Sequence, residues 1–192
     1  MKPMSDFTQG EFGWQPWLEP AAMATLSAEQ RAALKITPSQ RAVGDYALVL
    51  AHDPETLRER SPLYNAVMFG PGGLPRADRE LAAVATSRVN GCAYCASVHA
   101  ARFLALAKDP QLMRRLHADG SAARLEPRPM AVVALATKLT QDPAALRPSD
   151  AAPLRALGLS DGEILDLVHA VAMFAWANRL MQSLGAPVAP AS

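Results

Sequence analysis

Apolar residues recur at three- and four-residue steps along most of this chain, and no segment alternates persuasively, so the pattern predicts helices rather than strands. Helical segments are expected at 27–35, 39–50, 54–69, 76–89, 93–107, 110–118, 128–140 and 160–184. Ser27 with Gln30 three residues later has capping-box spacing, and Pro38 stands just ahead of Ser39. Pro62 interrupts 54–69 and predicts two short pieces there. Gly70, Gly72 and Gly73 with Pro71 and Pro75 mark a loop, and 141–153 reads as an alanine–proline linker. The run VVALA at 132–136 is embedded in helical context. Consecutive amphipathic helices with short loops predict an all-α, bundle-like domain. A loose likeness between the helix starts at Leu74 and Leu159 hints at an internal duplication.

Residues 1–20 are expected to form an irregular aromatic arm carrying Phe7, Phe12, Trp14, Trp17 and Leu18. An arm that apolar should pack on its own domain or on a partner subunit. Residues 21–187 then form one helical domain, and 188–192 a flexible tail. A chain of 192 residues can build a core without disulfides or metal. Its net charge of +1, with no basic block longer than Arg114–Arg115, argues against a nucleic-acid surface. Acidic and polar residues occupy the place of a signal-peptide apolar segment. The longest apolar run, Ile164–Trp176, is broken by Asp166 and His169. These features predict a soluble cytoplasmic protein with no membrane segment, and no phosphate-binding loop or cofactor motif is visible.

Residues 80–99, ELAAVATSRVNGCAYCASVH, hold the only two cysteines. A bridge between Cys92 and Cys95 would close a tiny loop and stabilise little, so a structural staple is disfavoured. Asn90–Gly91 is a natural place to leave one helix and turn into another, which puts Cys92 at a helix start and Cys95 in its first turn. Unpaired backbone N–H groups and the helix dipole favour a thiolate there. His99 follows Cys95 by four residues and shares its face, whereas Cys92 lies two turns away. Glu80 lies ten residues before Asn90 and His99 nine after it. In an antiparallel hairpin both stand about 13–15 Å from the turn, so the carboxylate can orient the imidazole and raise its basicity. Inert packing remains the alternative for the cysteines, an exposed first-turn acid for Glu80, and a satisfied core position for His99. A zinc site is disfavoured because His52, His117 and His169 lack ligand-like spacing.

The spacing Glu80–x11–Cys92–x2–Cys95–x3–His99 resembles the signature of the AhpD-like alkylhydroperoxidase group within the carboxymuconolactone decarboxylase superfamily. The likeness is strongest over about residues 60–110, and the rest resembles an uncharacterised peroxidase-related branch. The resemblance implies an AhpD-like helical bundle built around the cysteine hairpin, assembled as a homo-oligomer. It implies a thiol-dependent hydroperoxide reductase. Cys95 would be the peroxidatic thiolate and Cys92 the resolving thiol. Glu80 and His99 would form the proton relay, and a dithiol or lipoyl-bearing partner would serve as reductant. The decarboxylase members generally lack the cysteine pair. Well-known AhpD enzymes carry histidine just before the second cysteine, where this chain has Tyr94. The alternatives are a non-catalytic helical oligomer acting as redox sensor or partner-binding protein, and lactone or isomerisation chemistry on His99 and Glu80 alone.

Elsewhere, Tyr64, Met68 and Phe69 read as core rather than pocket wall. His169, Met173 and Trp176 share one helix face, and Asn178 with Arg179 closes it; these suit packing or a subunit interface.

Overall fold

The computed structural model describes residues 10–34 and 43–189. In chain order the elements are β1 (Gly13–Pro16), α1 (Ala28–Ala33), α2 (Asp45–Leu50), α3 (Pro54–Phe69), α4 (Arg76–Asn90), α5 (Ala93–Ala107), α6 (Pro110–Asp119), α7 (Pro127–Gln141), α8 (Pro148–Ala156), α9 (Asp161–Leu184) and β2 (Gly185–Val188). The all-α expectation holds. Helix α4 is the hub and packs against α5, α7 and α9. Ten consecutive α4 residues, Asp78–Ser87, are buried. That stretch is buried all round, so α4 is a central helix rather than a surface one.

Small side chains let neighbours approach it closely. Ala82 and Ala83 on α4 and Ala96 and Ala100 on α5 are fully enclosed. The turn between them ends α4 at Gly91, whose φ of 74° and ψ of 21° lie in the left-handed region open to glycine. The Cys92 N–H then returns to the Ser87 carbonyl at 2.8 Å, which fixes the angle of the hairpin.

Helix α3 is continuous through Pro62, not two pieces. Pro62 is exposed, so the carbonyl deprived of its donor can turn to water. Meanwhile Leu57, Ser61, Tyr64 and Met68 form one buried stripe running past the proline. Tertiary packing outweighs the missing hydrogen bond. The supposed linker 141–153 also folds, into a short 3-10 turn at Pro143–Ala145 followed by α8. Lys138 Nζ grips the Asp150 carboxylate at 2.7 and 2.8 Å, Asp150 accepts from the Arg147 N–H, and Leu154 is fully buried. The Ser27–Gln30 capping box forms as expected. Helix α2 begins at Asp45; positions 39–42 of the segment expected from Ser39 lie outside the described residues.

The all-helix reading overlooked a two-stranded ribbon. β1 pairs antiparallel with β2, Gly13 opposite Val188 and Pro16 opposite Gly185. The arm over 13–16 is thus regular, and Val188, assigned to the tail, is part of a strand. Beyond the ribbon, hydrogen bonds among the described residues tie the arm to its own domain: Trp14 Nε1 to the Met181 carbonyl at 3.0 Å, the Trp17 N–H to the Leu184 carbonyl at 2.8 Å, the Phe12 N–H to Ser97 Oγ at 3.0 Å, and His52 Nε2 with the Glu19 carbonyl at 2.9 Å. Phe7 lies outside the described residues. Helix α9 is long and apolar enough, by length and composition, to cross a bilayer. In this fold its buried residues pack on α3, α4 and α7.

Gly185 is where the ribbon crosses most tightly. A Cβ there would stand 2.4 Å from two atoms of the Trp14 ring and 2.5 Å from the Gln15 carbonyl oxygen. Gly185→Ala should therefore push Trp14 off the cysteine region, costing about 1–3 kcal/mol. Thermal unfolding together with the rate of thiol labelling checks this; both stability should fall and labelling should quicken.

Candidate functional site

Helices α4 and α5 place Glu80 and His99 at one level, as the equal distances from the turn require. Glu80 has no exposed surface, and its Oε2 meets His99 Nδ1 at 2.5 Å. Its other oxygen accepts from Arg76 Nε at 2.9 Å and Nη2 at 2.7 Å. Arg76 in turn lies 3.8 Å above the Phe69 ring centroid. The His99 ring stands edge-on to Phe174, 4.2 Å between centroids. Burial alone would raise the Glu80 pKa, but His99, Arg76 and Arg102 outweigh it and hold the carboxyl below its ordinary range. Burial depresses His99 more than Glu80 raises it, so the imidazole is neutral at pH 7. A neutral ring donating Nδ1–H to the carboxylate carries its lone pair on Nε2, the tautomer a general base needs.

Both cysteines are reduced and buried, their sulfurs 2.8 Å apart. Cys92 is the residue that precedes α5, and Cys95 sits in the first turn. The pair titrates as a unit, with charge settling first on Cys92. The hydrogen bond from Cys95, its backbone amide and the Asn178 side chain lower the Cys92 pKa against burial. The same hydrogen bond, together with burial, holds the Cys95 proton well above the ordinary thiol range. Among the described residues no hydrogen bond joins His99 to either sulfur; their relation is the shared helix face.

Several residues here were not expected from sequence. Asn178, fully buried on α9, donates to Ser87 Oγ and accepts from Asn90 Nδ2, both at 3.0 Å, and reaches the cysteines. Its signal was an amide inside an apolar helix. Met181, Trp14, Tyr46 and Tyr94 pack around the two sulfurs. A cavity of about 420 Å³ opens onto Cys92, walled by Trp14, Tyr94, Val133 and Met181. Tyr64 and Met68 are buried as read, and Trp176 is half-buried while His169 is exposed. Among the described residues no group of three or more His, Cys, Asp or Glu is placed to hold a metal.

Residues 54–138 match the carboxymuconolactone decarboxylase family. The alkylhydroperoxidase AhpD core of an uncharacterised peroxidase-related protein from Ralstonia eutropha JMP134 is 26% identical, with a TM-score of 0.77 over 88% of this chain and 90% of that one. An uncharacterised peroxidase-related protein from Silicibacter sp. TM1040 is 28% identical, with a TM-score of 0.75 over 91% and 95%. The chain thus carries a segment similar to the carboxymuconolactone decarboxylase family over 54–138 and resembles AhpD-like peroxidase-related proteins over most of its length. A variant of the debrominase Bmp8, in complex with 2,3,4-tribromopyrrole, shares the fold at 15% identity, with a TM-score of 0.66 over 88% and 89%. No curated protein matches the sequence. Within this AhpD-like frame the cysteine pair and the buried Glu80–His99 pair are consistent with the family's redox residues.

Glu80→Gln leaves Arg76 and His99 without their carboxylate and should cost about 2–4 kcal/mol, roughly 5–15 °C in Tm. The Glu80 pKa is lower folded than unfolded, so its stabilisation is complete above the ordinary carboxylate value and fades as pH falls through the folded one. His99, also depressed, adds acid sensitivity below its ordinary value of 6.5. The stability gap between wild type and Glu80→Gln should therefore narrow on acidification, read by denaturant melts from pH 7 downward.

Proposed function

We propose that this protein is a thiol-dependent hydroperoxide reductase, a reading carried by one observation: two reduced sulfurs 2.8 Å apart at a helix start, with a neutral, carboxylate-oriented histidine on the face of the second. Cys95 is the attacking sulfur. His99 Nε2 takes its proton as the sulfur meets the terminal oxygen of the hydroperoxide. The S–O bond forms, the O–O bond breaks, and the alkoxide leaves with that proton as the alcohol. Cys92, the thiol of the pair that gives up its proton more readily, then attacks the Cys95 sulfenic acid. The S–S bond forms and the hydroxyl leaves as water, taking the proton that Cys92 gave up. Glu80 positions His99 throughout and exchanges no proton. The lowered pKa of Cys92 suits a resolving thiol, while the raised pKa of Cys95 makes the base necessary.

An external dithiol, free or carried on a lipoyl group, restores the reduced pair by exchange. The cavity beside Cys92 is its entry, since that sulfur borders open space. The protein acts in the reducing cytoplasm, where such thiols persist. It assembles as a homo-oligomer, for which the exposed Trp17, Leu18, Leu63 and Leu106 provide apolar contact surface.

Peroxide turnover should require a dithiol and fall at least about a hundredfold in Cys95→Ser. In Cys92→Ser a sulfenic-acid probe should mark Cys95 after brief peroxide treatment, located by peptide mass spectrometry. Oxidation that alters assembly without consuming peroxide catalytically would instead identify a redox sensor.

A further inference from the structure

All three tyrosines of the chain converge on the redox groups, from three different helices. Tyr46 on α2 lies in the fields of Cys95 and Arg60, Tyr64 on α3 in those of Glu80, Arg60 and Arg102, and Tyr94 on α5 in those of both sulfurs and Arg102. Burial keeps the hydroxyls protonated, with Tyr46 raised to about 12, so they are hydrogen-bond donors at working pH.

Arg60 is held among three aromatic rings. Its guanidinium carbon is 4.9 Å from the Tyr64 centroid, 5.5 Å from that of Tyr46 and 5.8 Å from that of Trp176. Stacking fixes the plane of the fork and leaves its edge for a ligand. Two donors here, Arg60 Nε and the Tyr46 hydroxyl, are shielded from water and make no hydrogen bond of full geometry, the Arg60 guanidinium itself being the group that approaches the hydroxyl. Native proteins seldom leave such groups empty-handed, and an acceptor that arrives with a ligand is one resolution.

The charge balance points the same way. Arg76 and Arg102 bear on a neutral His99 and on the buried carboxylate of Glu80, and Arg60 joins Arg102 beside the neighbouring Tyr64. Glu80 is taken by Arg76, and among the described residues neither Arg60 nor Arg102 forms an ion pair. Tyr46, Arg60, Tyr94, Arg102 and Trp176 are all half-buried, so the group is reachable beside the buried Cys95.

We propose that Arg60 and Tyr46, with Arg102 beside them, receive a carboxylate, and that the substrate reduced at Cys95 is an organic hydroperoxide bearing a free carboxylate group. A carboxylate matches the guanidinium fork and can accept from the tyrosine hydroxyl at once. The substrate's apolar body then lies on the faces of Trp176 and Tyr46. This assignment of substrate class rests on the reductase reading above.

The test compares 4-(2-hydroperoxypropan-2-yl)benzoic acid with its methyl ester, which share the O–O bond and differ in charge. Wild type should prefer the acid by about tenfold or more in kcat/KM. Arg60→Met should bring that ratio near one, and Arg60→Lys, which keeps the charge without the fork, should recover part of it. Equal rates on acid and ester in wild type, or a loss in Arg60→Met that is the same for both, overturns the proposal. Binding of the unreactive 4-(2-hydroxypropan-2-yl)benzoate, measured by calorimetry, separates the subsite from the chemistry. If neither hydroperoxide turns over, binding that requires Arg60 upholds the anion subsite while refuting the reductase reading; absence of binding to wild type overturns the subsite itself.

Discussion

A carboxylate with no exposed surface has to be matched on both oxygens, and the match at Glu80 sets much of this molecule's geometry. His99 takes one oxygen and Arg76 the other. An unmatched charge in that position would be expelled or neutralised, so α4 and α5 are held at one relative height by electrostatics as well as by packing. Enclosed alanines supply the close approach that the short contact demands. Fold and chemistry therefore share a contact: the interaction that orients the imidazole, which burial keeps neutral, also fixes the hairpin that carries the sulfurs.

The thiol environment is assembled from distant parts of the chain. Asn178 comes from α9, Tyr46 from α2 and Trp14 from the terminal ribbon, and they meet α5 around the cysteine pair. Asn178 is linked by hydrogen bonds to Ser87 and Asn90 on α4, so the amide that bears on the sulfurs is braced by the helix before the turn. The ribbon closes the assembly, with Trp14 anchored on the Met181 carbonyl. A side chain braced in this way has little freedom to turn away from the thiols.

What was legible in the sequence was local or periodic. The boundaries of α5, the Asn90–Gly91 turn and the common level of Glu80 and His99 follow from helix pitch and a glycine in the left-handed region, so spacing alone recovers them. What escaped depends on contacts between remote segments. β1 and β2 are built from Gly, Trp, Gln, Pro, Ala and Val, a composition that does not announce strands, and each exists only because the other pairs with it. Pro62 and the prolines of 143–153 look like breaks because local rules omit the buried stripe and the Lys138–Asp150 pair that hold those segments helical. Asn178 and Arg60 look like ordinary polar residues until the fold places one against the sulfurs and the other among three aromatic rings.

A debrominase variant sharing the helical frame at low identity makes the general point that this architecture does not dictate a reaction, so the side chains must. Here the distinctive choice is how the thiolate is stabilised. With tyrosine at position 94 and a neutral His99, no imidazolium is at hand to lower a thiol pKa by charge. The Cys92 anion depends on donors instead: the Cys95 thiol, the Cys95 amide and Asn178. Stabilisation by dipoles has a chemical consequence. On the proposed mechanism, a Cys92 thiolate held by hydrogen bonds loses its largest support when Cys95 gives up its proton, so Cys92 becomes more reactive at the step where a resolving nucleophile is required. On that mechanism the asymmetry of the pair orders the two sulfurs in time, with Cys92 restrained until Cys95 has been oxidised.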